Sequence, residues 1–197
     1  MTGWKPLQKN LGVTADGIVG RGTLRALFQR LGADTGRAVE LGISANVHFR
    51  SYGILDNGLR LAHFLAQVAH ESGGFRYMEE IWGPTEAQKR YEGRKDLGNT
   101  VKGDGSLFRG RGPIQATGRS NYRYFGHKMG LDLEAHPDLL AIPSIGLWFA
   151  CEFWKDRDLN ALADRDDVEA ITRRINGGVN GIADRKLRLI FVKGLLS

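Results

Sequence analysis

The chain has 197 residues, a formal net charge of +6 and a pI of about 9.6, with 42% hydrophobic and 25% charged residues. These proportions are those of an ordinary globular protein with one core and room for a small appendage. The single cysteine, Cys151, excludes an internal disulfide framework, and its apolar flanks predict a place in a buried helix.

The positive charge favours an anionic partner, which could be nucleic acid, a membrane surface or a cell-wall polymer. No acidic residue lies between Asp104 and Asp132, whereas five basic residues do, although such a run is often only a solvated face. Because no nucleic-acid motif and no aromatic platform accompany these residues, we expect no nucleic-acid partner. No apolar run of about 18 residues occurs, so we also expect no stable membrane insertion.

Residues 7–28 follow a sequence pattern that differs from that of the rest of the chain. A short helix over residues 7–11 leads to a turn at Asp16-Gly17, and Thr23 is predicted to cap a second helix. The segment resembles half of the peptidoglycan-binding helical module, and the matching residues are Leu7-Gln8, Leu11-Gly12, Asp16-Gly17, Gly20 and Thr23. We therefore assign residues 1–36 to a wall-binding-like segment and residues 37–197 to the main domain. Alternatively, these helices pack on the main domain as its first elements.

Residues 61–80 contain the strongest signal for chemistry. The spacing of four apolar residues predicts an amphipathic helix over residues 58–72, and these four are Leu61, Phe64, Leu65 and Val68. Asp56 or Asn57 is predicted to cap this helix. His63, Gln67 and His70 are predicted on the opposite, polar side. Glu71 falls at the border of the two faces, where partial desolvation favours the neutral form of a carboxyl group and suits a general acid.

Gly73 and Gly74 end this helix, since glycine readily takes the left-handed conformation of a helix C-terminus. The turn allows residues 75–80 to return as a short strand and to bring a second carboxylate across a gap from Glu71. Strand alternation sends Glu79 and Glu80 to opposite sides, so only one of them can face Glu71. The pattern alone does not decide which.

Helices are predicted over most of the remaining chain. They cover part of residues 38–55 and residues 85–91, 118–129, 144–156, 168–176 and 182–196. The glycine-rich residues 93–112 are predicted as a functional loop, and residues 113–117 as a short strand. The fold class is therefore mainly α, with a small strand region beside the site.

Three segments place polar side chains beside glycines, namely AHESGGFRYMEE, FRGRGPIQATGRSNY and ITRRINGG. The zinc spacing HExxH, the serine motif GxSxG and the phosphate loop GxxxxGK are all absent from the sequence. What remains is a pair of carboxylates with amides and a hydroxyl, which is the equipment of a glycosidase.

Together these segments resemble the family 19 glycoside hydrolases, and most of all their phage and prophage endolysin branch. The resemblance covers roughly residues 40–190 and implies an α+β, lysozyme-like fold that needs no metal and no organic cofactor. It implies that Glu71 is the general acid, that Glu80 is the general base with Glu79 as its unreactive neighbour, and that Thr117 holds the attacking water.

The resemblance also implies a set of residues that hold the substrate: His70, Gln115, Asn121, Asn176 and Arg185. Arg185 corresponds to an arginine that holds the acid glutamate in the family. Its usual acidic partner after INGG is replaced by Asn180. Each amide could instead satisfy a backbone group, and Asn121 could cap the following helix.

The leading hypothesis is an inverting, endolysin-type hydrolase that cuts β-1,4 bonds of peptidoglycan to lyse a bacterial host. The inverting arrangement predicts carboxyl groups about 6.5 to 9.5 Å apart. The alternatives are a chitinase acting on poly-N-acetylglucosamine, a lytic transglycosylase with one catalytic glutamate, and a non-catalytic cell-wall-binding protein.

The N-terminus lacks the apolar region of a secretory signal, so we expect the protein to be made in the host bacterial cytoplasm. We also expect it to be a monomer. It would act on the wall from the periplasm after release by a holin-type partner.

Overall fold

The computed structural model describes residues 3–197 and is mainly helical, which confirms the predicted fold class. In chain order the α-helices are α1 Lys5–Asn10, α2 Arg21–Arg30, α3 Thr35–Ser51, α4 Gly58–Glu71, α5 Glu86–Lys89, α6 Asp104–Leu107, α7 Arg119–Met129, α8 Pro143–Asp156, α9 Leu159–Asp164, α10 Val168–Asn176 and α11 Ile182–Leu196. Two 3₁₀ helices lie at Lys95–Leu97 and Pro137–Ala141. In residues 3–197 the strand region is limited to two isolated bridges, which join Arg111 to Glu79 and to Ala116.

Helix α4 lies at the centre of the molecule and is packed by α9 and α11. Its predicted apolar stripe is fully buried, and Asn57 caps it by accepting from Arg60 N at 2.9 Å. The prediction of a polar, outward face was wrong, because His63 and Gln67 are also fully buried. They are tolerated inside because His63 contacts Asp166 at 2.7 Å and Gln67 exchanges hydrogen bonds with neighbouring side chains.

The N-terminal helices share the core of the rest of the chain. The Phe28 ring of α2 lies 6.2 Å from the ring of Phe49 in α3 and 5.0 Å from that of Phe75, which follows α4. Asn10 donates to the carbonyl of Leu195 in α11 at 3.1 Å. Residues 3–36 therefore contact both flanks of the main body, while the division of the chain at residue 36 stays a prediction.

Two local predictions differ from the structure. Thr23 does not cap α2, whose N-cap is Gly20; its buried hydroxyl instead accepts a 3.4 Å hydrogen bond from Gln8. Residues 93–112 are not a continuous loop, since they include α6 and the 3₁₀ helix at Lys95–Leu97. The many glycines of this stretch indicate a loop, and they do not reveal the two short helices within it.

Helix α8 is the buried helix that the sequence predicted. Cys151 on this helix is fully buried, and burial raises the pKa of its thiol. The thiol therefore acts as a small core group. Within residues 3–197, no helix has both the length and the apolar character that crossing a membrane requires.

Candidate active site

A cavity of about 470 Å³ lies where the end of α4 faces α7, α8 and α10. Five of the eight predicted site residues line it: Glu71, Gln115, Thr117, Asn121 and Asn176. The other three, Glu80, Arg185 and His70, do not line it. The three polar segments of the sequence thus meet at one place.

Glu71 is the last residue of α4, and its side chain is 20% exposed. Its Oε1 accepts a hydrogen bond from Nη2 of Arg185, whose side chain is only 2% exposed. The border position therefore holds an ion pair as well as apolar contacts. With Oε1 occupied by a donor, the proton of a neutral Glu71 has to reside on Oε2.

Arg185 is held from behind by groups that the sequence did not suggest. Its Nη1 donates to Oε1 of Gln67, and its Nε donates to the backbone carbonyl of Asn180 at 3.3 Å. Asn180 stands where the family has an acidic residue, and its backbone carbonyl accepts the hydrogen bond from Arg185. The contact between Arg185 and Glu71 does not need a second carboxylate.

The segment after α4 turns as predicted but does not form the expected strand. Gly73 and Gly74 have φ values of +58° and +76°, and Phe75 follows with a φ of +63°. Phe75 is fully buried against Phe28, so packing overrides the extended conformation. Only Glu79 pairs in a bridge, with Arg111.

Glu79 and Glu80 nevertheless face different surroundings. Oε1 of Glu79 contacts Nη2 of Arg109 at 2.7 Å and Nε of Arg111 at 2.8 Å. Arg111 is almost completely buried. Glu79 is therefore engaged in ion pairs beneath the site.

Glu80 accepts hydrogen bonds on both carboxylate oxygens. Gln88 donates to Oε1 at 3.0 Å, and the Tyr91 hydroxyl donates to the same oxygen at 3.4 Å. The Gly110 amide donates to Oε2 at 3.1 Å. Burial, and secondarily the charge of Glu80, raise the pKa of Tyr91, so its hydroxyl stays protonated as a donor. Tyr91 also lines the cavity, which places Glu80 at its edge.

Gly110 allows the close approach of Glu80 to the segment that carries the threonine. A Cβ at this position would lie 2.8 Å from Oε1 of Gln115 and 3.3 Å from Oε2 of Glu80. Only a residue without a side chain leaves that space open. Gln115 itself has a φ of +54°, and its Nε2 donates to the Gly112 carbonyl at 2.9 Å.

Thr117 and Asn121 form a linked pair. The Thr117 hydroxyl donates to the Gln115 carbonyl at 3.1 Å, which leaves its oxygen lone pairs to accept from a water molecule. Asn121 Nδ2 donates to the Thr117 carbonyl at 2.7 Å, and its Oδ1 has no partner in the described residues. Asn121 therefore orients the threonine and still presents an acceptor.

Asn176 ends α10 and stabilises the turn that follows. Its Oδ1 accepts from Gly178 N at 3.0 Å, and its Nδ2 donates to the Asn180 carbonyl at 3.3 Å. Asn176 thus satisfies backbone groups and also lines the cavity.

His70 is the predicted site residue that the structure places elsewhere. Its Nδ1 contacts Oδ2 of Asp184 at 2.6 Å, on α11. Because successive helical residues differ by about 100°, His70 points away from the face that carries Glu71. Its side chain links α4 to α11 and does not line the cavity.

Several residues that line the cavity are not among those predicted from the sequence. Tyr91, Arg94 and Leu97 come from the segment around the glycine-rich residues, and Phe153 and Arg157 come from the end of α8. The loop signal pointed to the first group. Nothing in the uniformly apolar pattern of α8 pointed to the second. Among the described residues, no group of three or more His, Cys, Asp and Glu side chains is suited to a metal ion.

Comparison with known proteins places this geometry in a family. Residues 38–168 match glycoside hydrolase family 19, described as chitinase class I. A glycosyl hydrolase family 19 domain-containing protein of Haemophilus influenzae is 37% identical over 157 residues, covering 66% of this chain and 76% of the relative. An endochitinase of Arabidopsis thaliana is 36% identical over 137 residues, covering 69% of this chain.

The chain spans only 46% of that plant relative's length. Among solved structures, chitinase C from Streptomyces griseus superposes with a TM-score of 0.68 at 21% identity, over 94% of this chain and 79% of the other. This likeness supports the fold. The sequence match, which covers about two thirds of the chain, shows that the protein belongs to glycoside hydrolase family 19.

Proposed function

We propose that this protein hydrolyses β-1,4 glycosidic bonds in the glycan strands of bacterial peptidoglycan, between N-acetylmuramic acid and N-acetylglucosamine, and that it does so by inversion. The observation that carries this proposal is that Glu71 and Thr117 line one cavity while Glu80 is held at its edge by three donors. An acid, a base and a hydroxyl that can hold water are the parts that single-displacement hydrolysis needs.

In the proposed mechanism Glu71 is the general acid. Arg185 holds Oε1, so Oε2 carries the proton to the glycosidic oxygen as the bond breaks. Glu80 is the general base and removes a proton from water on the other face of the sugar. The Thr117 hydroxyl oxygen accepts a hydrogen bond from the other hydrogen of this water. The lone pair of the water oxygen is thereby directed at the anomeric carbon.

The preference for peptidoglycan is supported by the net charge of +6 and by the resemblance of residues 7–28 to a peptidoglycan-binding module. A cationic protein is attracted to an anionic wall. We further propose that the protein is a monomer, lyses its bacterial host as an endolysin, and reaches the wall from the cytoplasm through a holin-type partner. Lysis on expression of this gene alone would contradict that route.

The test is the release of new ends from purified Gram-negative sacculi, identified by mass spectrometry. Reducing ends on N-acetylmuramic acid support the proposal, and 1,6-anhydro ends indicate a lytic transglycosylase. Glu71→Gln is the control and is expected to release about 10² to 10⁴ times fewer ends. Equal release by both proteins, or binding to sacculi without release, would refute the proposed activity.

A second candidate is hydrolysis of chitin, because several relatives are named as endochitinases. Release of N-acetylglucosamine oligomers from colloidal chitin, together with inactivity on sacculi, would favour it.

A further inference from the structure

Arg157 lines the cavity with a guanidinium group whose hydrogen-bonding capacity is not used by the rest of the described chain. It follows the last residue of α8 and lines the same cavity as Glu71 and Asn176. Its backbone is fixed, since Arg174 donates to its carbonyl at 3.2 Å. Within residues 3–197, its side-chain nitrogens make no hydrogen bond, and Nη1 is buried without a partner.

The guanidinium group is held in place by aromatic rings. Its Cζ lies 3.5 Å from the centroid of the Phe153 ring and 5.8 Å from that of Phe125. The side chain is 27% exposed, so part of it reaches the cavity while the rest is covered. Stacking on aromatic faces orients the group and leaves its N–H edges available for an acceptor.

The nearest acid makes no hydrogen bond to Arg157. Oδ2 of Asp156 lies 3.6 Å from Nη1, beyond hydrogen-bond distance. Asp156 is already engaged through Oδ1, which accepts from Lys128 and from the Tyr124 hydroxyl. Burial lowers the pKa of Arg157 from its ordinary value, an effect that the charge of Asp156 only partly opposes.

The other charged groups that line the cavity have partners. Arg94 makes two hydrogen bonds to Asp96, at 2.7 and 2.5 Å, and Glu71 is paired with Arg185. Among the described lining residues, Arg157 is therefore the cation without a hydrogen-bonded acceptor. A planar, desolvated guanidinium of this kind matches the two oxygens of a carboxylate.

We propose that Arg157 binds a carboxylate carried by the glycan substrate and thereby determines specificity for charged over neutral chains. This inference rests on the proposed function, because peptidoglycan carries carboxylates and chitin does not. The carboxylate has two possible sources in the wall: the lactyl group of an unsubstituted muramic acid, or the stem peptide attached to that group.

The experiment is a binding titration, so that it does not depend on turnover. The Glu71→Gln protein is titrated calorimetrically with three soluble probes: the N-acetylglucosamine hexamer, a N-acetylglucosamine and N-acetylmuramic acid tetrasaccharide with free lactyl carboxylates, and the same tetrasaccharide carrying stem peptides. Arg157→Met, which keeps an unbranched side chain over Phe153, is introduced into that background.

Arg157→Met is expected to weaken binding of a carboxylated probe about tenfold and to change binding of the neutral hexamer less than about twofold. Loss with the free tetrasaccharide identifies the lactyl carboxylate, and loss only with the peptide-bearing probe identifies the stem. Arg157→Lys keeps the charge without the planar guanidinium group. Its affinity for the carboxylated probe should lie between those of the parent protein and of Arg157→Met. Arg165→Met, at an exposed position outside the cavity, is the control for net charge.

Equal weakening for all three probes would show that Arg157 only maintains the shape of the cavity and would overturn the proposal. So would unchanged affinity for both carboxylated probes. If Arg157→Met does not fold, Arg157→Lys decides by the same comparison. Failure of the proposed function is distinguished separately, as the absence of new ends from sacculi treated with the unmodified protein.

Discussion

The two adjacent carboxylates, Glu79 and Glu80, have different surroundings. Glu80 accepts three hydrogen bonds at the edge of the cavity, whereas Glu79 forms ion pairs with Arg109 and Arg111. We expect Glu80→Gln to lower kcat about 10² to 10⁴-fold, since an amide cannot take a proton from water. Initial rates on purified sacculi measure this effect.

Glu79→Gln is the matched variant and should act on stability. It replaces the carboxylate that faces Arg109 and the buried Arg111 with a neutral amide, whose oxygen can still accept a hydrogen bond but no longer balances their charges. The expected loss is about 1 to 3 kcal/mol in the free energy of unfolding, with most of the activity retained. A folded Glu79→Gln protein that is inactive, beside an active Glu80→Gln protein, would reverse the assignment.

The Thr117 hydroxyl can be tested without changing the size of the side chain. Thr117→Val removes the oxygen that is proposed to hold water, and we expect kcat to fall by up to about 100-fold with little change in KM. Thr117→Ser keeps the hydroxyl and should retain most of the rate. Equal rates for the Val and Ser variants would show that the water is positioned by another group.

At this scale the sequence predicted residues better than contacts. Glu71, Gln115, Thr117, Asn121 and Asn176 do line one cavity, because their segments lie beside glycines that let the chain turn there. The partners of Glu71 and Glu80 depend on residues that are distant in sequence. The family resemblance implied the contact of Arg185 with Glu71, whereas nothing in the sequence pointed to the partners of Glu80 or to Arg157.

Helix α2 packs against α3, and Phe28 is one of its fully buried residues. The Phe28 ring touches Phe49 in α3 and Phe75 in the turn after Glu71. We expect Phe28→Ala to cost about 3 to 5 kcal/mol and to lower the midpoint of a single thermal transition. Differential scanning calorimetry makes this measurement.

Ile18→Ala provides the comparison, because Ile18 belongs to the same segment and is 68% exposed. It should leave the transition almost unchanged. If residues 1–36 fold independently, Phe28→Ala will instead split the melting curve and leave the main transition in place. That result would support the division of the chain at residue 36.

Helices with a clear period and a strong end signal were predicted closely. Residues 182–196 are helix α11, and α4 ends one residue earlier than predicted, at Glu71. The failures occurred where tertiary packing decides the backbone. Phe75 leaves the extended conformation to enter the core. The buried His63 and Gln67 find partners far along the chain, in Asp166 and Thr172.

The molecule as a whole is stabilised by ion pairs that respond to acid. Glu134 accepts from Arg123 and Arg119, which lower the pKa of its carboxyl from 4.5 to about 2. A carboxyl whose pKa is lower in the folded state contributes stability that is complete above the unfolded value. That contribution is lost as the pH falls from about 4.5 towards about 2.

Glu134→Gln should therefore reduce stability at neutral pH and flatten its dependence on pH between about 4.5 and 2. Urea unfolding at a series of pH values measures the difference. Glu40→Gln, at an exposed position on α3, controls for the loss of one negative charge. Identical pH profiles for Glu134→Gln and the unmodified protein would show that these ion pairs contribute nothing.

The buried thiol of α8 can serve as a chemical probe of how often the fold opens. Cys151 is the only cysteine of the chain and is fully covered, so a thiol reagent can modify it only when the surrounding helices separate. When reclosing is faster than modification, the labelling rate reports the equilibrium population of the open form. Every variant discussed above can then be ranked by labelling under native conditions, without any denaturant.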